Sequence, residues 1–421
     1  MQLNWNLDNL YGNKSQYDKE KVYLMSLKEN VNEELLYRYE KIIVSSYLYA
    51  LKGLEKIETY NYLYQKYCYI YAKINNFDYN EYDEDSFLDY KRLYNIIFEN
   101  GVVIHKHINY INHNSMYMDY YAEFTNKYLI PNCDNIIKLI NFSVYNNSSY
   151  DKLIDLIDRK IKLSDWINKS LQTRQSFLGK KNLKLIDIGI ELNNFGDFEL
   201  GFLKKGIKEI NTAIIRDEFI EKMFNEGWID INSKNENITI VSNFFHPFIM
   251  SNFNGNLISS MQLTHEIGHV INQYLEIKTD LYQEILPIVE EIMLCKYIEM
   301  HNQAKERINN LVIDRCIIDM IFYLIKIKMK RNCSDSYLLS KKLNDVWIYY
   351  LKNYFDENIL YSEEDNYQWM LIDFSSTMEI DLSYLLGNYF SLMIYNEKLS
   401  FDELVYHLKN GYVEKILLDV N

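Results

Sequence analysis

The chain has 421 residues, enough for two or three domains and a large buried core. It contains only 3 prolines, where average usage would give about 21. With 13 glycines it lacks the punctuation of a strand-and-turn fold, so it reads as long helices. Its net charge of −14, without a long basic run, argues against a protein that tracks a nucleic-acid backbone.

The N-terminal residues Met1 to Asn6 show neither a basic nor an apolar targeting region, so no secretory signal is expected. From about Lys14 to Lys180 apolar residues recur every three or four positions, and Ser45 to Ile70 reads as a helical hairpin. Phe77 to Phe87 and Asn132 to Tyr150 read as loops. Between Leu183 and Gly255 the pattern changes. Residues 185–190, 229–231 and 238–241 are predicted strands of a small sheet, punctuated by Gly227 and by Asn252-Phe253-Asn254-Gly255. Helices return after Gly255 and run to a last one over about Phe401 to Leu418. Leu311 to Lys328 is strongly apolar but carries Asp314, Arg315, Asp319 and two lysines, which predicts a buried helix rather than a membrane span. The five cysteines are scattered and unpaired in pattern, as expected of reduced core thiols in a cytosolic protein. No internal repeat or low-complexity linker announces independent domains; the expected division falls at about residue 175, between an N-terminal helical region (1–175) and a region (176–421) that holds the motif described next.

The catalytic assignment comes from His265-Glu266-Ile267-Gly268-His269. Two histidines four apart on a helix lie about 40° apart around its axis and one turn apart along it. Both imidazoles can therefore reach one tetrahedral Zn²⁺, with Glu266 beside them to take a proton from water. A third ligand is needed, and no histidine follows until His301. The downstream carboxylates are Glu276, Asp280, Glu284, Glu290 and Glu291. Glu276 reads as two turns along the same helix, pointing away. Glu284 and Glu291, seven apart, share one helix face, so one could bind metal while the other hydrogen-bonds a ligand imidazole. Pro287 is tolerable only if that helix begins near Glu284.

Several blocks resemble the thimet oligopeptidase and oligoendopeptidase F family of zinc peptidases. Asn252-Phe253-Asn254-Gly255 to His269 is similar to that family's "NFNGT…HELGH". Phe224 to Asp230, Arg174 to Asp187 and Trp5 to Tyr11 are similar to other family segments. The resemblance implies a mainly α, two-lobed helical zincin-type metallopeptidase with a deep channel and a small β-sheet beside the HExxH helix. It also implies one Zn²⁺ per chain on His265, His269 and Glu284, with Glu291 as the carboxylate behind a ligand histidine. Trp369 to Tyr395 is similar to the segment that supplies transition-state donors, and Tyr384 keeps one tyrosine. Asp373 stands where the family has histidine, and Ile380 and Asp381 stand where it has tyrosine. Asn272 replaces a further, non-ligand histidine. His246 and Tyr389 are the fallback donors.

The expected function is therefore that of a cytoplasmic zinc metalloendopeptidase acting on short unfolded peptides, with no nucleic-acid or membrane partner. Glu266 is the expected general base and Tyr384 the oxyanion donor. Two rival readings remain open: a weakly active or inactive peptide-binding relative, suggested by the altered C-terminal block, and a peptidase dedicated to one precursor.

Overall fold

A computed structural model describes residues 5–27, 33–74, 126–127, 150–189, 196–231, 237–242, 245–277, 280–301, 305–332, 340–372 and 378–413. Along the chain the described elements are α1 (Asp8–Tyr11), α2 (Lys14–Ser26), α3 (Glu33–Leu51), α4 (Ile57–Ile74), α5 (Asp151–Leu163), α6 (Trp166–Leu178), β1 (Leu183–Lys184), α7 (Leu185–Ile188), α8 (Leu200–Asn211), α9 (Asp217–Asn225), β2 (Ile229–Asp230), β3 (Ile238–Ile240) and β4 (Phe248–Met250). Then follow α10 (Leu257–Tyr274), α11 (Ile285–His301), α12 (Lys305–Asn332), α13 (Ser340–Phe355), β5 (Ile359–Leu360), α14 (Met378–Tyr395) and α15 (Phe401–Asn410). Helices dominate, as the shortage of proline and glycine predicts.

The chain forms two compact units that interleave in sequence: Met1–Glu84 with Asp217–Phe253, and Asp85–Arg216 with Asn254–Asn421. The division at residue 175 follows chain order, whereas these units follow spatial contact.

In the first unit α3 and α4 make the expected hairpin. Gly53 takes φ +68° at the end of α3, where the Leu54 amide donates back to the Tyr49 carbonyl at 2.8 Å. A left-handed residue there closes the last turn without a Cβ penalty. The sheet has the order β2-β4-β3, with β2 parallel to β4 and β3 antiparallel to it. Trp5 anchors the N-terminal segment to this sheet, its indole donating to the Ile249 carbonyl at 2.7 Å while its ring meets Phe248 edge-on.

The second unit contains the HExxH helix, α10. Its start is fixed by the Asn252–Gly255 turn: Gly255 takes φ +84°, and the Asn256 side chain accepts from the Ser259 amide at 2.8 Å as an N-cap. Asn254 Oδ1 accepts from the Ser259 hydroxyl at 3.0 Å and tightens the same turn. α11 is apolar on every side and buried almost throughout, between α10 and α14. Two glycines let these three helices approach closely. A Cβ at Gly268 would lie 2.6 Å from the Cα of Pro287, and one at Gly387 would lie 2.8 Å from Ile288 Cδ1 and 3.2 Å from the Glu284 carbonyl.

Three sequence expectations need correction. Residues 185–188 form the helical turn α7, not a strand, and only Leu183–Lys184 extends beside β5. The reason is Asp187, whose buried carboxylate accepts from the Lys184 amide at 2.8 Å and stabilises the first turn of a helix. α10 ends at Tyr274, so Glu276 is not on it but just beyond, exposed at φ +59°. α15 stops at Asn410, where Gly411 takes φ +69°. The predicted loops 77–87 and 132–149, with Asp373, lie outside the described residues.

α12 covers the apolar run 311–328, and no described helix is long and apolar enough to cross a membrane. Its charges have partners inside the unit. Asp314 takes a two-pronged ion pair from Arg174 at 2.9 and 2.8 Å and a 2.6 Å hydrogen bond from Ser170. Lys326 and Lys330 both reach the fully buried Asp381, at 2.6 and 2.5 Å. Removing one member of such a buried pair costs about 3–5 kcal/mol.

Candidate metal centre

α10 presents His265 and His269 on one face, and the close contact of Gly268 with Pro287 lays that face against the start of α11. Glu284 immediately precedes α11, so Pro287 falls in the first turn, where its missing N–H breaks no helical bond. Two contacts fix this corner. The Glu284 amide donates to the Ser383 hydroxyl of α14 at 2.9 Å. The Asn272 side-chain amide donates to the Gln283 carbonyl at 2.7 Å, so this residue ties α10 to the segment before α11.

Nε2 of His265 and Nε2 of His269 stand 3.3 and 3.6 Å from Oε2 of Glu284. One ligand atom from each of the three residues lies within 4.8 Å of the others. That Glu284 oxygen is buried and makes no hydrogen bond. A buried carboxylate oxygen without a donor, facing two imidazole nitrogens, is a donor set suited to Zn²⁺. The sequence-predicted ligands are thus brought together.

Glu291 lies behind the histidine. Its Oε1 is 2.7 Å from Nδ1 of His265, and its Oε2 receives Arg315 of α12 at 2.6 Å. Glu276 and Glu290 are not part of this cluster. Glu290 is completely buried on another face of α11 and accepts from Asn211 at 3.0 Å; burial pushes its carboxyl up to about 8.

The charges of the centre are strongly coupled. Burial opposes a charged His265, but Glu284 and Glu291 outweigh it and lift its pKa to about 10. Burial dominates at His269 and holds it near 4. Burial would raise Glu284, yet the two imidazoles and the nearby Tyr384 hydroxyl bring it below its usual value.

Tyr384, on α14 beside Ser383, therefore sits near the Glu284 carboxylate. Burial, then the charges of Glu284, Glu291 and Glu266, push its hydroxyl upward, so it remains a proton donor. Glu266 is buried in α10, and its charge is felt at this hydroxyl. Against Tyr384 lies Tyr323 of α12, ring parallel to within 2° and centroids 4.9 Å apart.

Tyr323 and Arg315 are absent from the sequence-derived site. Their signal was present but undirected: both belong to the apolar run 311–328, whose polar residues bear on membrane insertion without indicating a partner. Asp381 instead holds Lys326 and Lys330. Tyr389 is five positions beyond Tyr384 and packs against Phe390, with Lys160 over its ring. His246 belongs to the first unit, stacked on Trp228.

No family model matches the sequence, and no curated protein matches it. Among solved structures the chain is similar to oligoendopeptidase-F from Enterococcus faecium, 13% identical, over 98% of this chain and 89% of that one; the TM-score of 0.49 is too low to carry an argument. It is also similar to a "putative peptidase from Chlamydophila abortus", 13% identical, with a TM-score of 0.65 over 98% of this chain and 90% of that one. At such identity the likeness is one of fold, and the mainly helical fold of this chain is the fold of that Chlamydophila protein.

Proposed function

We propose that this chain is a zinc-dependent endopeptidase acting on short unfolded peptides. The observation that carries the reading is the convergence of His265, His269 and Glu284 on one point, with Glu266 and Tyr384 beside it. The likeness to the Chlamydophila structure supports a peptidase in particular. Zn²⁺ held there would polarise a scissile carbonyl and acidify an attacking water.

The residues of the chain divide the remaining work. Glu266 takes the proton of the attacking water and passes it to the leaving amine. Tyr384 donates its hydrogen bond to the oxygen on which negative charge develops, and its high pKa keeps that proton in place. Tyr323 holds the Tyr384 ring by stacking. Glu291 accepts from Nδ1 of His265 and so turns Nε2 toward the ligand point. Buried Cys295 and Cys316 thiols suit a reducing, cytosolic setting.

One observation favours a second reading, a peptide-binding protein with little turnover: Asp381, on the same helix as Tyr384, is committed to lysines. Cleavage of a mixed oligopeptide library, followed by mass spectrometry with and without a chelator, separates the two. Chelator-sensitive cleavage within peptides supports the endopeptidase. Binding without products supports the alternative.

A further inference from the structure

The metal-facing nitrogen of His265 is the end of a connected line of groups that begins on another helix. Nδ1 of His265 meets Oε1 of Glu291 at 2.7 Å, and the other oxygen of that carboxylate meets Arg315 at 2.6 Å. A carboxylate held at both oxygens has no freedom to rotate, so the imidazole it grips has none either. We propose that Arg315 is a positioning residue of the metal centre, fixing the ring of His265 through Glu291.

Three features support that assignment. The Glu291 side chain is only 5% exposed, so water does little to hold it if Arg315 is lost. The guanidinium is itself wedged: its other terminal nitrogen lies 3.6 Å from the sulfur of Met261, one turn before His265 on α10, and its Nε lies 3.8 Å from Asp319. The preceding residue, Asp314, is locked by Arg174 and Ser170, which stops α12 from turning about its axis. Arg315 thus reaches Glu291 from a helix with a fixed rotation. A planar guanidinium gives direction as well as charge, which an ammonium does not.

The inference rests on the metal-centre reading, and the experiment distinguishes the two. Zn²⁺ affinity of the full chain is measured by competition with a chromogenic chelator for the parent, Arg315→Met, Arg315→Gln and Arg315→Lys. Melting temperature and the visible spectrum of the Co²⁺-loaded proteins are recorded alongside. Loss of an outer partner of a ligand histidine weakens metal binding by about 10- to 100-fold. Acting through Glu291, Arg315→Met and Arg315→Gln should weaken Zn²⁺ by about tenfold and shift the Co²⁺ spectrum. Arg315→Lys should recover part of the affinity. Arg315 is partly exposed, so at least one neutral variant should fold. Parent affinity in a folded neutral variant, with only the melting temperature lowered, overturns the assignment. A parent that binds no Zn²⁺ removes the metal centre itself, and the inference with it.

Discussion

The rings of Tyr323 and Tyr384 are parallel to within 2°, yet they come from different helices, α12 and α14. These helices are tied by Asp381, three positions before Tyr384, which holds Lys326 and Lys330. The pair is therefore set by a buried ion cluster about one turn away.

Substitution separates the two tyrosines by role. Tyr384→Phe removes one donor and leaves the stack, so cleavage should slow by about 10²–10³ with zinc content unchanged. Tyr323→Phe preserves the stack and should cost little, whereas Tyr323→Leu should slow cleavage by loosening Tyr384. Steady-state kinetics with zinc analysis of each variant reads this directly. Equal loss from Phe and Leu at 323 would mean that the Tyr323 hydroxyl itself takes part.

Glu266 and Glu284 differ in what their loss removes. Glu266→Gln should retain about one zinc per chain and lose several orders of magnitude in rate, since a base disappears and a ligand does not. Glu284→Ala should empty the site, whereas Glu291→Ala should weaken binding by about 10- to 100-fold. Elemental analysis after dialysis against a weak chelator decides between these outcomes. Tight zinc in Glu284→Ala would refute the ligand set.

Gly268→Ala tests the helix contact. The added methyl would sit 2.6 Å from the Pro287 Cα, a backbone atom that cannot swing aside. Overpacking of this kind costs about 1–3 kcal/mol. The melting temperature should fall, and zinc should bind more weakly because His269 moves with the displaced helix. An unchanged melting curve would show that the two helices have slack.

Glu290 makes stability depend on pH. Burial raises its pKa from 4.5 to about 8, so between those values the folded chain holds a proton that the unfolded chain releases. Stability therefore declines as pH rises from about 4.5 to about 8 and levels off above. Glu290→Gln keeps the shape without the charge, so its melting temperature should exceed that of the parent at pH 8 and match it near pH 5. Parallel melting curves at both pH values would contradict this.

The sequence makes local relationships readable and distant ones opaque. His265 and His269 are legible because four residues make one helical turn. Spacing leaves several downstream carboxylates open and puts Glu284 and Glu291 on one face; the choice between them came from the family resemblance, with Pro287 favouring a helix start near Glu284. Arg315 and Tyr323 meet the site only through the packing of α12, which no spacing within that helix announces. The strand expected at 185–190 failed because apolar periodicity in so short a run does not distinguish a strand from a buried turn; the carboxylate of Asp187 settled it. Asn272 gave no signal of joining α10 to Gln283, since its partner is a backbone carbonyl.

The glycines at 268 and 387 also bear on inheritance. All glycine codons share their first two bases, and every single-base change that replaces the residue installs at least a Cβ. At both positions such a Cβ meets a neighbouring helix within about 3 Å, Pro287 in one case and Ile288 in the other. Spontaneous destabilising mutations should therefore arise at two residues that carry no reactive atom. A random-mutagenesis screen would mark them as sensitive positions, although all they contribute is the absence of a side chain.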